Sequence, residues 1–555
     1  MPSMPDAGRS FRSTRGGLDR LLILGLDGAT YDLLVPLAEQ NVMPHLSALL
    51  RHAALIELDS TDPPITPTAW TTFQTGCDPW DHGIFDYRYL DHASRRLLLN
   101  TSRRIQCPTM FDAVSAAGGE IVSLNLPMTW PRRPSLSGVV VGGIDSPSSA
   151  AALAAEPRFA DKLRAAGVPF PIELIWRRRP RSFAELSRGV ERTGQVFRSR
   201  VAAAELADSF CPWRLMVVQF QTLDALQHRL WDVLANESTS TAPASWTPKA
   251  RQAMTTLDEC VGRLCELAAR RNAGVMILSD HGFGPFRERI ELSTLLQRRG
   301  LQTAARRWSR LEYRAARLAF KTRKSLVRRL RPGQSSAALP RPPGALLPID
   351  WRRSRAVTLH SNLGALVYLN TPQRFGRGPI SSPRLYDEAV EETMNVLGRA
   401  SHPRDGTPLF DAVHRVDERI GGDPIERQAP DVLAIPAPGF HTRSKPNPGA
   451  ALLSPDRELS GTHRRTGVLM IASTATRPGM RMKAALRDVA PTALRLLGIP
   501  IPMSMTGRVI DEVFASPLTH ERQATLPVPS SEASVISRQE QLQVEVRLRR
   551  LGYLD

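Results

Sequence analysis

Three times along the chain an unbroken apolar run stops at a turn that carries carboxylate or imidazole. The runs are RLLILGLDGATYDLL from residue 20, WRLMVVQFQTLDALQHRLWD from residue 213 and NAGVMILSDHGFG from residue 272. A strand with one solvated face alternates apolar and polar residues. A continuous run instead predicts a strand buried on both faces, as in a parallel sheet covered by helices. Helical spacing follows the first two runs, so strand and helix alternate. The expected class is α/β, a doubly wound and mainly parallel sheet with helices on both faces. Ligands of such sheets gather at the carboxyl ends of the strands, which is where Asp27, Asp224 and Asp280 fall.

The length of 555 residues fits one elaborated domain or two to three ordinary ones. We divide it into a disordered tail over 1–18, a main domain over 19–516 that carries the three runs, and a linker with a short amphipathic helix over 517–555. A basic insertion over 305–346 ends in a proline- and serine-rich loop and interrupts the strand–helix grammar. The formal charge of +19 is carried almost wholly by arginine spread along the chain. Diffuse charge of that kind does not by itself predict a nucleic-acid partner. Five scattered cysteines without a CxxC pair argue against a disulfide framework and against a thiolate zinc site. A reducing compartment, the cytoplasm, is expected. The N-terminal apolar stretch LLIL is too short for a secretory or membrane segment.

DPPITPTAWTTFQTG, residues 62–76, holds five threonines and three prolines. Proline suits the first helical position and threonine the cap before it. The reading is therefore Thr66 as N-cap, Pro67 at N1 and Gly76 just past the end. A hydroxyl at a helix mouth faces unsatisfied N–H groups, where a phosphate can be held; on this stretch alone an ordinary capping threonine is the simpler reading. Asp224 and His228 stand at i and i+4 and can grip one cation. Asp280 and His281 are adjacent at a strand tip, with Gly282 permitting a sharp bend. His463 precedes another buried strand in SGTHRRTGVLMIAS. Carboxylate and imidazole donors without thiolate suit Zn2+, with Mn2+ as competitor.

GLDGATYD, PPITPTAWTTFQTGCDPWDHGIFD, DALQH, SDHGFG, GTH and RDVAPTALRLLGIPIPMSMTGR together resemble the alkaline phosphatase superfamily, in its type I phosphodiesterase/nucleotide pyrophosphatase branch. The resemblance runs from residue 21 to about residue 507. It implies a small phosphate-ester substrate and two divalent metal ions. One ion would be held by Asp27, Asp280, His281 and the oxygen of Thr66, the other by Asp224, His228 and His463. Thr66 would attack phosphorus, giving a covalent threonine intermediate that water hydrolyses. Where the resemblance expects a phosphate-touching asparagine the chain has Ala69, for which Thr68 or a backbone N–H is the substitute. CDPWD at Cys77 lacks the arginine that a sulfatase needs. His82 is expected to orient its turn and the threonine helix. His360 and His441, the latter in a loop, are candidates for substrate contact. The basic insertion is expected to dock on the core, with a lid or a peripheral membrane contact as alternatives. The reading is a metal-dependent phosphodiesterase. A phosphomonoesterase or phosphomutase is the alternative within the chemistry, and an inactive membrane- or nucleic-acid-binding scaffold the alternative outside it.

Overall fold

The computed structural model describes residues 17–92, 96–172, 175–236, 238, 240–304, 349–358, 363–376, 378–444, 451–515, 522–523, 526–527 and 536–551. The basic insertion 305–346, His360 and most of the 1–18 tail lie outside the described residues. The chain divides into two compact units. The first comprises residues 1–88, 99–286 and 457–537, and the second 89–98, 287–456 and 538–555.

The first unit is built on an eight-stranded sheet. In order across it run Arg481–Ala485, Ala54–Asp59, Thr466–Ala472, Gly274–Leu278, Leu21–Gly25, Trp213–Gln219, Glu120–Leu126 and Gly138–Gly142. Leu21–Gly25 pairs parallel with both of its neighbours, and the parallel set continues to Gly138–Gly142. Thr466–Ala472 is antiparallel to the strands on either side. The expected class, a mainly parallel sheet within an α/β fold, is the observed one.

Alternation along the strands sends their side chains to two faces. Leu21, Ile23, Leu215, Val217, Met276 and Leu278 enter one core with Trp70, Phe73, Phe111, Val489 and Leu494, which belong to helices Thr66–Thr75, Met110–Ala116 and Val489–Leu496. Leu22, Leu24, Met216, Val218 and Ile277 are equally buried. Two long helices, Phe183–Asp208 and Trp246–Arg270, pack on each other and on these central strands. Both faces are thus covered, which is why the strand sequences read as unbroken apolar runs.

In the second unit a four-stranded antiparallel sheet runs Ala356–Thr358, Ala365–Leu369, Val432–Pro436, Phe410–Arg415. Helix Pro383–Gly398 packs on it. Its core holds the fully buried ion pair Arg374–Asp431, to which Tyr386 adds a hydrogen bond of 2.8 Å. The C-terminal helix Arg538–Leu551 belongs to this unit, with Val544 and Leu548 buried. Among the described residues no helix is long and apolar enough to cross a membrane.

Candidate active site

Sheet direction explains how distant residues meet. Asp27 follows the strand ending at Gly25, and Asp280 and His281 follow the strand ending at Leu278. Asp224 and His228 lie in the first turns of helix Thr222–Leu234, entered directly from the strand ending at Gln219. His463 precedes Thr466–Ala472. Because that strand alone opposes the parallel set, its beginning lies where the others end. His463 sits in a short ribbon, Gly461–Arg464 against Gly282–Pro285, opposite Phe283.

The six side chains form two groups, Asp27–Asp280–His281 and Asp224–His228–His463, each with its ligand atoms within 4.8 Å of one another. All six residues are buried. The groups adjoin, since the His281 and His463 rings stack at 3.6 Å between centroids.

Each histidine is held the same way. Nδ1 of His228 faces the carbonyl of Gly461 at 3.0 Å, Nδ1 of His463 that of Pro64 at 2.8 Å, and Nδ1 of His281 that of Gly282 at 3.1 Å. A carbonyl only accepts, so Nδ1 carries a proton in all three and Nε2 is the atom turned inward. Nε2 of His228 and Nε2 of His463 are then 3.1 Å apart, with Asp224 Oδ1 at 3.5 and 3.1 Å from them. Three atoms able to ligate a cation thus meet at one point.

In the other group, His281 Nε2 lies 3.7 Å from Asp27 Oδ1 and 3.4 Å from Asp280 Oδ2. None of these three atoms has a hydrogen-bond partner. Buried polar atoms are nearly always paired, and leaving them unpaired is costly. Converging carboxylate oxygens and an imidazole nitrogen with no partner in the protein fit divalent cations such as zinc or manganese.

The electrostatics carry the same mark. Burial, then the neighbouring Asp280 and Asp224 carboxylates, pushes Asp27 well above the usual carboxylate range; burial and Asp224 do the same to Asp280. Burial opposes ionisation of Asp224 too, but His228 and His463 more than offset it and hold its carboxyl low. Burial takes His228 down to about 4 and holds His281 well below its ordinary value.

The other oxygens of the carboxylates are occupied. Asp27 Oδ2 accepts from Trp70 Nε1 at 3.1 Å and Gln219 Nε2 at 2.6 Å, and Asp280 Oδ1 accepts from the Gly28 amide at 3.2 Å. Trp70 is one helical turn beyond Thr66, so the face of helix Thr66–Thr75 that carries Thr66 is the one turned to Asp27. Thr66 is fully buried, and its hydroxyl makes no hydrogen bond of ordinary geometry. The Tyr87 phenol lies beside it; burial and the charges of Asp27, Asp145 and Asp224 keep that phenol protonated.

Three local readings need correction. Thr66 is not the cap: Ile65 is, in extended conformation, its carbonyl accepting from Ala69 N at 2.9 Å, so Thr66 is already helical and Pro67 second. The Thr66 hydroxyl therefore makes no capping bond. Gly76 ends the helix with φ 61°, in the left-handed region. Gly282 serves close approach rather than a bend, since a Cβ there would stand 1.9 Å from the Thr466 carbonyl oxygen. His82 Nδ1 accepts from the Ile84 amide at 3.1 Å, so Nε2 donates to Thr72 Oγ1 at 2.9 Å, tying turn to helix. Thr68 is buried with an unpartnered hydroxyl, and Ala69 is packed in the hydrophobic core. His441 lies buried on strand Phe440–Arg443 of the second unit, not in a loop.

Motif reading missed Trp70, Gln219 and Tyr87. The signal for Gln219 was present, a polar residue ending an otherwise apolar strand; Trp70 stands at i+4 from Thr66.

The family model for type I phosphodiesterase/nucleotide pyrophosphatase matches residues 21–467. No curated protein sequence matches the chain. Among solved structures, phosphonoacetate hydrolase from Sinorhizobium meliloti 1021 in complex with phosphonoacetate aligns at TM-score 0.52 and 14% identity, covering 87% of this chain and 96% of that one. The murine ectonucleotide pyrophosphatase/phosphodiesterase 5 aligns at TM-score 0.48 and 12% identity, covering 91% and 97%. The family match runs from the first buried strand to just past His463, and the chain therefore belongs to the type I phosphodiesterase/nucleotide pyrophosphatase family of phosphoric ester hydrolases.

Proposed function

We propose that the chain hydrolyses a small phosphodiester with Thr66 as nucleophile and two divalent cations, zinc or manganese, as cofactors. Asp27, Asp280 and His281 with the Thr66 oxygen would hold one cation, and Asp224, His228 and His463 the other. The observation that carries this is the convergence of six buried carboxylate and imidazole side chains into two adjoining groups, one of them with all three inward atoms lacking a hydrogen-bond partner. A cation pair supplies a lowered hydroxyl pKa and charge neutralisation of phosphoryl oxygens. The protein's own part is positional. Trp70 and Gln219 hold Asp27 by one oxygen, and three backbone carbonyls fix the three imidazole tautomers. The Thr66 hydroxyl is free of any capping bond, so it is available to attack phosphorus: its oxygen would bond to phosphorus as one ester P–O bond breaks, the hydroxyl proton would leave with the departing alcohol, and water would then displace Thr66 to release a phosphomonoester. Tyr87, protonated beside it, can donate to a phosphoryl oxygen. Five free cysteines support a reducing, cytoplasmic setting.

Metal analysis together with turnover of bis(4-nitrophenyl) phosphate and 4-nitrophenyl phosphate tests the proposal. Two ions per chain with faster diester cleavage is the expected result. Faster monoester cleavage would move the assignment to a phosphomonoesterase. Fewer than two ions and no turnover would leave only a scaffold.

A further inference from the structure

Arg200 poses a problem of charge. It lies in helix Phe183–Asp208, only 2% exposed, and among the described residues no carboxylate pairs with it. Its Nε and Nη1 have no hydrogen-bond partner. The guanidinium stacks over the Phe170 ring at 4.0 Å, and Nη2 donates to the Pro171 carbonyl and, at 3.0 Å, to Asn125 Oδ1. Burial brings its pKa down to about 9, so it remains charged at neutral pH. A buried cation without a paired carboxylate costs stability, which calls for a role that its neighbours can reveal.

Asn125 shows what that is. Its φ is 67°, a left-handed conformation rare outside glycine, and the ladder to Gly138–Gly142 shifts register between Leu124 and Leu126. Such a bulge re-aims a side chain. Asn125 Nδ2 thereby reaches Gln219, donating to its Oε1 at 2.8 Å and its carbonyl at 3.1 Å; Gln219 Nε2 donates to Asp27 Oδ2 at 2.6 Å. The direction of the chain is forced from its ends. A guanidinium cannot accept, so Asn125 must face it with oxygen and Gln219 with nitrogen. Gln219 must then turn oxygen to Asn125 and nitrogen to Asp27.

We propose that Arg200, acting through Asn125 and Gln219, is a positioning residue for Asp27: the one-way chain Arg200→Asn125→Gln219→Asp27 keeps Oδ2 donated to and leaves Oδ1 free to bind a cation. Aligned hydrogen bonds polarise one another, so the charge of Arg200 is felt at Gln219 Nε2. Partners of this kind, behind the ligands themselves, typically govern metal affinity. The inference rests on Asp27 being a ligand, as proposed above.

The test uses full-length protein, Zn2+ titrated against a chromophoric chelator, and thermal unfolding of the metal-free form. Asn125→Asp gives Arg200 a carboxylate and suits the left-handed backbone, but removes the amide donor; Gln219 must then turn its Nε2 away from Asp27 and present Oε1 to it. The expected result is an unfolding midpoint equal to or above wild type, with one of two zinc ions bound about 10–100-fold more weakly and the other unchanged. Gln219→Met breaks the chain with little change of volume, should weaken the same ion, and serves if Asn125→Asp does not fold. A merely structural Arg200 predicts that only the midpoint moves. Two ions in wild type and unchanged affinity in both variants would overturn the positioning role alone; fewer than two ions in wild type would remove the ligand assignment and this inference with it.

Discussion

A single methyl group at Gly25 should disable Asp27 without touching it. Gly25 ends the central strand with ordinary extended backbone, so alanine there carries no conformational penalty. Its Cβ, however, would stand 2.6 Å from Trp70 Cη2, 3.2 Å from Trp70 Cζ3 and 3.2 Å from Gln219 Cγ. Trp70 and Gln219 are the two residues that donate to Asp27 Oδ2. The indole is fully buried and set edge-on against Phe73 at 5.3 Å, so it cannot swing into solvent. Restoring an ordinary carbon–carbon contact of about 3.5–4 Å requires a shift of about 1 Å. That stretches the 3.1 Å bond from Trp70 Nε1 past hydrogen-bonding distance. Overpacking of a tight core costs about 1–3 kcal/mol. Loss of the indole's hydrogen bond adds about 0.5–1.5 kcal/mol. Gly25→Ala should therefore lower the unfolding free energy of the metal-free protein by about 1.5–4.5 kcal/mol in urea. It should also weaken one zinc ion about 10–100-fold in chelator competition. Gly398→Ala, at a site where nothing lies within 4 Å of the new methyl, is the control. Zinc affinity within twofold of wild type in Gly25→Ala would refute the view that crowding at the strand end controls Asp27.

Thr66→Ala should abolish turnover while both ions remain bound, measured by steady-state assay and metal analysis; full activity would exclude Thr66 as the attacking group. Burial takes His82 down to about 3, whereas an unfolded histidine titrates near 6.5. The unfolded state then binds the extra proton, so stability falls as pH drops below about 6.5, by about 1.4 kcal/mol per pH unit until about pH 3. His82→Gln should flatten urea-derived stability of the metal-free protein between pH 6 and 4 by about that slope, and an unchanged slope would show that His82 titrates normally. Deleting residues 305–346 should alter substrate preference across a panel of esters while sparing zinc affinity. An unchanged preference would leave that segment no part in selection.

The strands at residues 21, 213 and 274 were legible because burial on both faces leaves an unambiguous apolar run, and their acidic tips followed from the rule for parallel sheets. His463 was legible as a residue before a strand. What brings it to the site is that strand's reversed direction, which a pattern of apolar residues does not encode. The cap was misplaced by one residue because threonine–proline is the preferred cap pair, yet here the helix begins at Thr66 and the extended residue is Ile65. Gln219, Asn125 and Arg200 escaped for a different reason. Periodicity reports that a side chain is buried, not which partner it meets, and these three lie 19 to 94 positions apart. Only a polar residue at the end of an apolar strand, as in VVQF and SLNLP, hinted at them.

The two groups of donors rest on different supports. Asp27, Asp280 and His281 extend from two adjacent central strands of the sheet, paired residue for residue from Leu21 to Gly25. Asp224 and His228 ride on a helix, and His463 on a ribbon of four pairs whose member Phe283 packs edge-on against His228 at 4.8 Å. The sheet-borne group is therefore anchored by main-chain ladders on both sides, and the other by side-chain packing and one short ribbon. Local opening costs least where fewest backbone bonds must break. The Asp224–His228–His463 group is accordingly the more adaptable of the two. Its three inward atoms stand within 3.1 to 3.5 Å of one another. Rigid placement of Asp27 beside the helix that carries Thr66, with a second group across the stacked His281 and His463 rings, is the arrangement that the proposed attack by Thr66 would require, one side fixed and the other free to follow a changing phosphoryl geometry.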